Sequence, residues 1–458
     1  MTSLHRRRLS AAAAIAMVSA TGIAAVRPVG ISQPPAKITD TTLPNGLRVL
    51  IQEDHAAPVF SIVVNYNVGS RNERQGRTGF AHLFEHMMFK GSDNVGQSEH
   101  PYLMFMNGGN MNGTTDKDRT LYYETLPSTQ VDLALFLEAD RMHSLANNIT
   151  KENLENQINA VQEERRLRVD NVPYGKVTDV LPELAYENFG YKHSVIGSMA
   201  DLSAATVQDV VDFFKTYYAP NNAVLSIVGD VDTKTTLAKV KKYFDVVPRQ
   251  PNPPRVDDTE PAQTEERRTT LEDALARLPR IDMAYHIPSG SSPDFDALTV
   301  LSSVLSSGRS SRLYESVVRQ QQLATSAFAG ATESRGPGLF SVFAMPAPGK
   351  SVADVEAAID AEFEKVKNGP IADWELEKAR VGARRQYIST LGSSLGRAIT
   401  MSQDALFYND PQMLAERQAR LERVTAADVQ RVAKQYLVKT TRSVVITMPK
   451  SGAGRGGN

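Results

Sequence analysis

The sequence contains no cysteine, and this absence removes whole classes of architecture and chemistry. No disulfide framework can hold the chain together, and no thiolate can act as a nucleophile or metal ligand. A zinc ion would have to be bound by histidine and carboxylate side chains, and the chain has only 8 histidines. The formal net charge is −1 at pH 7, which offers no general attraction to nucleic acid or to acidic membranes.

Long apolar runs are also scarce, and the longest stands at the N-terminus. The basic residues His5-Arg6-Arg7-Arg8 precede an alanine-rich apolar run over residues 9–26, which ends among small residues. This pattern is typical of a secretory signal peptide, which we place at residues 1–25. We therefore expect a periplasmic or secreted protein with no integral membrane span once the signal is removed. A membrane anchor is the alternative, but serine, threonine and glycine interrupt the run.

Hydrophobic periodicity predicts an α/β fold made of several elements. Strand patterns occur at residues 42–51 (around an Asn-Gly turn), 59–66, 122–126 and 222–229, and helical patterns at residues 131–142, 150–168 and 207–217. Such alternation is typical of mixed α/β domains, each a sheet with helices packed on it.

The length and composition of the chain indicate two domains. At 458 residues the chain is too long for one ordinary core. Residues 248–268 are rich in proline and charge, and we interpret them as a linker between an N-terminal domain at residues 38–247 and a C-terminal domain at residues 269–449. Residues 450–458 read as a disordered tail.

Two helix-and-strand blocks repeat without gaps at a distance of 219 residues. The matching residues are Thr206, Asp209, Val210, Tyr217 and Ile227 in the first block and Thr425, Asp428, Val429, Tyr436 and Ile446 in the second. We interpret the match as an internal duplication, because the same interval also places the linker between the two halves. Chance similarity of two amphipathic units is the alternative.

One short stretch brings together side chains that suit a metal site. His82 and His86 are four residues apart, and Glu85 lies three residues after the first histidine, among apolar neighbours. On a helix these positions share one face, so the two imidazoles and the carboxylate converge. The histidines can supply two zinc ligands, and Glu85 is better placed as a base on metal-bound water. Two core histidines beside a surface glutamate, or a glutamate that only orients an imidazole, are the alternatives.

A third protein ligand must come from elsewhere in the chain. On the helix predicted at residues 150–168, Glu164 extends the apolar stripe that faces inward, whereas Glu163 lies about 100° away around the helix. We therefore favour Glu164. On the residues alone a second interpretation stays open, because residues 163–166 (Glu-Glu-Arg-Arg) also suit a solvated charged face.

In the residues just described, the sequence resembles the pitrilysin/insulinase family of inverted-motif zinc metallopeptidases. The resemblance rests on His82-Leu83-Phe84-Glu85-His86, on Asn159-Ala160-Val161-Gln162-Glu163-Glu164, and on the flanking segments Gly69-Ser70-Arg71, Gly79-Phe80-Ala81 and Phe89-Lys90-Gly91-Ser92. It is strongest toward bacterial members related to the mitochondrial processing peptidase, whose chains have two α/β domains. It implies one Zn²⁺ per chain, held by His82, His86 and Glu164, with Glu85 as the general base.

The resemblance extends to residues 108–122, which match the strand beside the metal in this family. There an extended peptide substrate is held by main-chain pairing, which recognises chain geometry rather than side-chain identity. This implies substrate binding at Asn112, Gly113, Thr114 and Thr115, with Gly113 standing where relatives usually have alanine. A Gly/Asn-rich turn before an ordinary strand is the alternative from the residues alone.

Two departures from the family pattern concern the surroundings of the site. Gln157 stands where some relatives carry a further glutamate. Active members also use an arginine and a tyrosine, seven residues apart, from the second domain or a partner chain to hold the substrate and polarise its carbonyl. The matching positions here are Val318 and Thr325, with Arg319 one residue away from the first. The resemblance therefore implies a heterodimer with a related chain that carries the Arg/Tyr pair; a homodimer and a monomer are the alternatives.

These observations predict a zinc endopeptidase that cuts peptides or unfolded polypeptide chains. Glu85 would take a proton from a metal-activated water, while residues 112–115 would align the substrate. A second class stays open, namely a non-catalytic zinc-binding scaffold or assembly subunit, since the family includes inactive members. The intact motif argues against it, because a scaffold has no need of Glu85 beside two histidines.

Overall fold

The computed structural model describes residues 37–450. The signal peptide predicted at residues 1–25 lies outside the described residues, as does the predicted tail apart from Lys450. The described residues form one unit around two β-sheets, each with its own hydrophobic core. No helix within residues 37–450 has both the length and the apolar character needed to cross a membrane.

The N-terminal half contains a six-stranded sheet. Its strands are β1 (Thr39–Thr42), β2 (Arg48–Glu53), β3 (Val59–Tyr66), β4 (Asn110–Thr115), β5 (Thr120–Pro127) and β6 (Ala223–Gly229). The spatial order is β1-β2-β6-β3-β5-β4, with β6 parallel to β2 and every other pair antiparallel. The helices described in this half are α1 (Phe80–Met87), α2 (Glu99–Met106), α3 (Val131–Ser144), α4 (Lys151–Arg165), α5 (Val177–Ala185), α6 (Phe189–Lys192), α7 (Met199–Ser203), α8 (Val207–Tyr217) and α9 (Thr233–Phe244).

The C-terminal half contains a five-stranded sheet. Its strands are β7 (Arg267–Asp273), β8 (Arg280–Ile287), β9 (Ala324–Ala331), β10 (Gly338–Pro346) and β11 (Arg442–Pro449). The order is β7-β11-β8-β10-β9, with β11 parallel to β7 and the other pairs antiparallel. The helices described here are α10 (Asp294–Ser306), α11 (Val352–Asn368), α12 (Asp373–Leu391), α13 (Ser394–Tyr408), α14 (Met413–Arg423) and α15 (Ala426–Tyr436).

The two halves repeat one topology. The order β2-β6-β3-β5-β4 in the first sheet corresponds to β7-β11-β8-β10-β9 in the second. The repeated helices α8 and α15 begin in the same way, because Thr206 with Asp209 and Thr425 with Asp428 each form a reciprocal capping box. The predicted α/β fold with two similar halves is confirmed.

Each sheet uses a helix of the other half to cover its outer face. Helix α13 lies on the N-terminal sheet, where Ala398, Met401 and Ala405 pack against the apolar residues Leu50, Val63, Leu121, Val224 and Val228. Helix α5 lies on the C-terminal sheet, where the carbonyl oxygen of Ala185 is 2.9 Å from His286 Nε2. Each half therefore covers one face of the other half's sheet with a helix, in addition to being connected to it by the chain.

Several elements differ from the prediction or were not predicted from the sequence. Helix α9 was not predicted, although Asp232 caps its first turn and Val240 and Phe244 are buried on one face. Helix α4 ends at Arg165, and the chain continues as a wide π turn over Arg166–Asp170. The predicted helix ran on to residue 168, because helical periodicity does not reveal a change of helix type.

The segment between the halves also differs from the predicted linker. Strand β7 begins at Arg267, inside the range assigned to the linker, because pairing with β11 extends it. Before β7 the segment touches both halves: Gln263 donates to the Arg442 carbonyl at 2.9 Å, and Glu260 accepts from the Asn188 N–H at 3.0 Å. Polar contacts therefore fix a stretch whose composition alone suggests a free linker.

Candidate metal centre

Helix α1, which carries His82, Glu85 and His86, is held firmly at its start. It begins after Gly79, whose φ of 84° is left-handed, and a Cβ there would lie 2.6 Å from the Ile196 carbonyl oxygen. The carboxylate of Glu73 accepts from the backbone N–H groups of Gly79 and Ala81, both at 2.8 Å. These bonds satisfy donors that the first helical turn leaves free. His193 Nε2 lies 2.8 Å from the same carboxylate.

Helix α4 brings Glu164 to the two histidines. Its Oε2 lies 3.6 Å from His82 Nε2 and 3.3 Å from His86 Nε2, and one donor atom from each residue lies within 4.8 Å of the others. Ligands at about 2.0–2.1 Å from a tetrahedral zinc ion are roughly 3.4 Å apart. The donor set and its spacing therefore fit a zinc ion with a fourth position open to water.

Burial keeps both imidazoles in the form that binds metals. It lowers the pKa of His82 to about 4, with the neighbouring His86 ring as a further cause. It also lowers the pKa of His86, an effect that Glu164 and a polar contact from Gln157 oppose. Because a metal ligand must be deprotonated, two neutral rings beside a carboxylate are prepared for a cation.

Arg168 holds the other oxygen of Glu164. Its Nη1 lies 2.8 Å from Glu164 Oε1, while Oε2 faces the histidines. Arg168 belongs to the π turn after α4, and its side chain is 74% exposed. Arg168 was not predicted as part of the site, although its i, i+4 spacing from Glu164 on the predicted helix is a signal for such a pair.

Glu85 lies one helical turn from His82 and next to His86 in sequence, and it contacts the substrate strand proposed from the sequence. Its Oε2 accepts from Thr115 Oγ1 at 2.5 Å, and a Cβ on Gly113 would lie 2.9 Å from Glu85 Cγ. Burial raises the pKa of Glu85, although the Thr115 hydrogen bond opposes this. A carboxylate with a raised pKa is better matched to proton transfer near neutral pH.

Strand β4 forms one edge of its sheet, and within residues 37–450 only β5 pairs with it. Gly113 and Thr115 face Glu85, whereas Asn112 and Thr114 point to the opposite face because side chains alternate along a strand. Asn112 Oδ1 accepts from the Gly113 N–H at 2.9 Å, and Arg119 donates to Thr114 Oγ1 at 2.8 Å. Of the four predicted substrate residues, Thr115 therefore contacts Glu85 and Gly113 leaves room for its side chain, whereas Asn112 and Thr114 face away.

The positions that match the family's Arg/Tyr pair carry neither a cation nor a phenol. Val318 packs against the C-terminal core, and Thr325 is exposed on β9. Arg319 forms an exposed ion pair with Glu315 at 2.9 Å. The side chains at these positions cannot by themselves polarise a carbonyl.

A buried charge cluster behind α1 was missed by the sequence analysis. It contains His100, Glu124, Glu138 and Arg141, and Phe89 packs against both His100 and Arg141. The donor atoms of the first three also lie within 4.8 Å of one another. Arg141 already donates to both oxygens of Glu138, so a guanidinium takes the place of a metal cation. The charged residues within the apolar patterns of β5 and α3 could have indicated this cluster from the sequence.

This cluster makes stability depend on pH through Glu124. Burial raises its pKa from 4.5 to about 7, and its neighbour His100, at 2.6 Å, stays neutral because burial lowers the pKa of His100 to about 3. The folded state then binds a proton that the unfolded state releases, so this contribution to stability is lost as pH rises from about 4.5 to about 7.

We expect Glu124→Gln, which imitates the protonated acid, to gain stability over the wild type as pH rises. The gain should reach roughly 1–3 kcal/mol at pH 8 and vanish near pH 4. Denaturant unfolding between pH 4 and pH 8 measures it, with the exposed Glu155→Gln as control. A difference between Glu124→Gln and wild type that does not change with pH would contradict the assignment.

Sequence comparisons divide the chain into two matching regions. Residues 48–198 match the family described as Insulinase (Peptidase family M16), and residues 204–382 match the one described as Peptidase M16 inactive domain. Zinc protease PqqE of Helicobacter pylori is 31% identical over 416 residues, which cover 90% of this chain and 93% of that protein. The probable mitochondrial-processing peptidase subunit beta of Arabidopsis thaliana is 26% identical over 416 residues, covering 89% and 77%.

Structural comparison agrees with these matches. A crystal structure of a protease from Helicobacter pylori has a TM-score of 0.86 and 31% sequence identity, covering 90% of this chain and 100% of that chain. Similar proteins carry the name zinc protease, which implies zinc at the level of the family. By its sequence and its fold, the chain belongs to the insulinase family of peptidases, family M16.

Proposed function

We propose that this protein is a zinc-dependent endopeptidase that hydrolyses peptides or unfolded polypeptide. This proposal rests on the convergence of His82 Nε2, His86 Nε2 and Glu164 Oε2, with Glu85 on the same helix as the histidines. These three residues would hold one zinc ion per chain. When bound, zinc supplies Lewis-acid activation of a water molecule and of the scissile carbonyl.

The chain's own residues would carry the proton and align the substrate. Glu85 would accept the proton of the attacking water and pass it to the leaving amine. Thr115 fixes Glu85 Oε2 by its hydrogen bond, which orients the carboxylate for this transfer. An extended peptide would pair with the free edge of β4, where it replaces the contact between Asn112 Oδ1 and the Gly113 N–H.

The proposal includes a partner chain. Val318 and Thr325 stand where active relatives carry the Arg/Tyr pair, so carbonyl polarisation from the second half needs an outside source. A related chain in a heterodimer would supply the pair, and a second copy of this chain would not, unless other residues take over the role. We further propose a periplasmic or secreted location, on the basis of the N-terminal signal pattern.

Metal removal tests the proposal directly. We expect the purified chain to contain one zinc ion and, with its partner chain, to cleave an internally quenched peptide. A zinc chelator should lower this cleavage by at least about 100-fold, because the metal activates the water, and added Zn²⁺ but not Mg²⁺ should restore it. Zinc analysis by mass spectrometry and fluorescence give the two readouts.

A second candidate function is a zinc-binding assembly subunit without catalysis. Val318 and Thr325 favour it, because the chain lacks a polarising pair of its own. The same experiment separates the candidates: zinc bound at full stoichiometry without cleavage, alone and with every related partner chain, would support the subunit and overturn the peptidase.

A further inference from the structure

A polar cavity of about 590 Å³ lies where the N-terminal half meets residues 252–258 and the turn between β9 and β10. Amide and guanidinium side chains dominate its lining, among them Asn67, Asn72, Asn252, Arg71, Arg255 and Arg335. Its volume falls within the range of small-molecule sites. It is separate from the metal centre, since none of the proposed zinc ligands lines it.

Arg335 is the unusual member of this lining. Within residues 37–450, no carboxylate oxygen lies within 4.0 Å of its guanidinium. The side chain donates to Asn67 Oδ1 and lies over Phe407, with its guanidinium carbon 5.4 Å from the ring centroid. Burial lowers the pKa of Arg335, and the nearby positive charge of Arg71 lowers it further. A half-buried cation thus has no direct ion pair, and only the more distant charges of Asp118 and Asp258 partly offset the cost of its burial.

The nearest acid is already engaged. Asp118 is buried and accepts from the Tyr191 hydroxyl at 2.8 Å and from the Arg335 backbone N–H at 2.9 Å. It also pairs with Arg71 Nη1 at 3.2 Å, while Arg71 Nε is buried and has no hydrogen-bond partner among the described residues. The Asp118 carboxylate therefore forms its direct ion pair with Arg71 and not with the Arg335 guanidinium, so the two arginines together exceed its charge.

Two further charged residues line the cavity. Arg255 and Asp258 are both exposed, so water screens their charges more strongly than those of the buried pair. Their opposite charges offset each other, and the net charge of the lining stays positive. Uncompensated charge away from water is costly, and an oxyanion with several lone pairs relieves that cost through charge-assisted hydrogen bonds.

We propose that this cavity binds a small polar ligand through an oxyanion group, a carboxylate or a phosphate. The Arg335 guanidinium pairs with the oxyanion, Arg255 closes over it from the connecting segment, and the asparagine amides bond the rest of the ligand. This site is additional to the proposed peptidase function and does not depend on it. Because the ligand bridges three segments, its binding stabilises the folded chain.

Thermal unfolding of the full zinc-loaded protein tests the proposal, with inorganic phosphate and succinate as probes and chloride at equal ionic strength as reference. We expect one or both probes to raise Tm in the wild type. Arg335→Gln should lose the shift, and Arg255→Gln should require at least about tenfold more probe, since a charged hydrogen bond is lost. Arg385→Gln, an exposed arginine on α12, is the matched control and should respond like the wild type.

The two probes identify the source of the oxyanion. A shift with phosphate alone indicates a phosphorylated ligand, and a shift with succinate alone indicates a carboxylate ligand. If neither probe shifts Tm, or if all variants shift equally, the cavity is not an oxyanion site. Arg255 is exposed, so its variant decides the question even if Arg335→Gln fails to fold.

Discussion

The variant Glu85→Gln should lose hydrolysis of a quenched peptide by roughly 10²–10⁴-fold in kcat while it keeps one zinc ion per chain. Glutamine preserves the shape of the side chain and can still accept the hydrogen bond from Thr115 Oγ1. It cannot take a proton from water, so the chemical step slows without loss of the metal. Peptide cleavage and zinc content, measured on the same preparation with the partner chain present, separate the two effects.

Glu155→Gln provides the control for this variant, because Glu155 is an exposed glutamate on α4 away from the metal donors. It should match the wild type in both measurements. If Glu85→Gln turned over the peptide as fast as the wild type does, the assignment of Glu85 as base would be wrong. Loss of zinc together with activity would instead make Glu85 part of the metal shell.

The variant Glu164→Gln should lose zinc itself. A substitution of a residue that only supports a ligand already costs about 10–100-fold in metal affinity, so loss of a carboxylate ligand should cost at least about 100-fold. Competition with a chromophoric chelator measures this affinity, and cleavage should fall in parallel. The contrast with Glu85→Gln is the informative result, because one variant keeps the metal and the other does not.

The adjacent residue offers a matched control for Glu164. Glu163 is exposed, pairs with Arg166 at 2.9 Å and points away from the histidines. Glu163→Gln should therefore bind zinc like the wild type. If Glu163→Gln lost zinc and Glu164→Gln retained it, the third ligand would be Glu163 and the assignment of Glu164 would be wrong. The residues alone left this choice open.

Local patterns were sufficient where an element depends on its own residues. Strand β3 and helix α8 span residues 59–66 and 207–217, the same bounds that hydrophobic periodicity predicts. The His-x-x-Glu-His arrangement is likewise local, since helical spacing alone brings its three side chains to one face. These parts of the fold and the candidate site could be predicted because no distant contact decides them.

Distant contacts decide what the sequence could not predict. Asp118 and Arg335 are 217 residues apart, and nothing near either residue indicates that they meet. The contact of Thr115 with Glu85 follows from the packing of β4 beside α1, which the sequence suggested only through family resemblance. The contact of Arg168 with Glu164, by contrast, has the i, i+4 spacing of an ordinary helical pair, so the sequence did contain a signal for it.

The helix that covers the outer face of the N-terminal sheet has a consequence for synthesis on the ribosome. Strand β6 completes that sheet at Gly229, but α13 ends at Tyr408, so about 180 residues must still be translated before its cover exists. At 5–20 residues per second this takes roughly 10–35 s, during which Leu50, Val63 and Val224 lack their partners. The first half therefore cannot bury this apolar face by itself. Its apolar face stays exposed to water until the second half arrives.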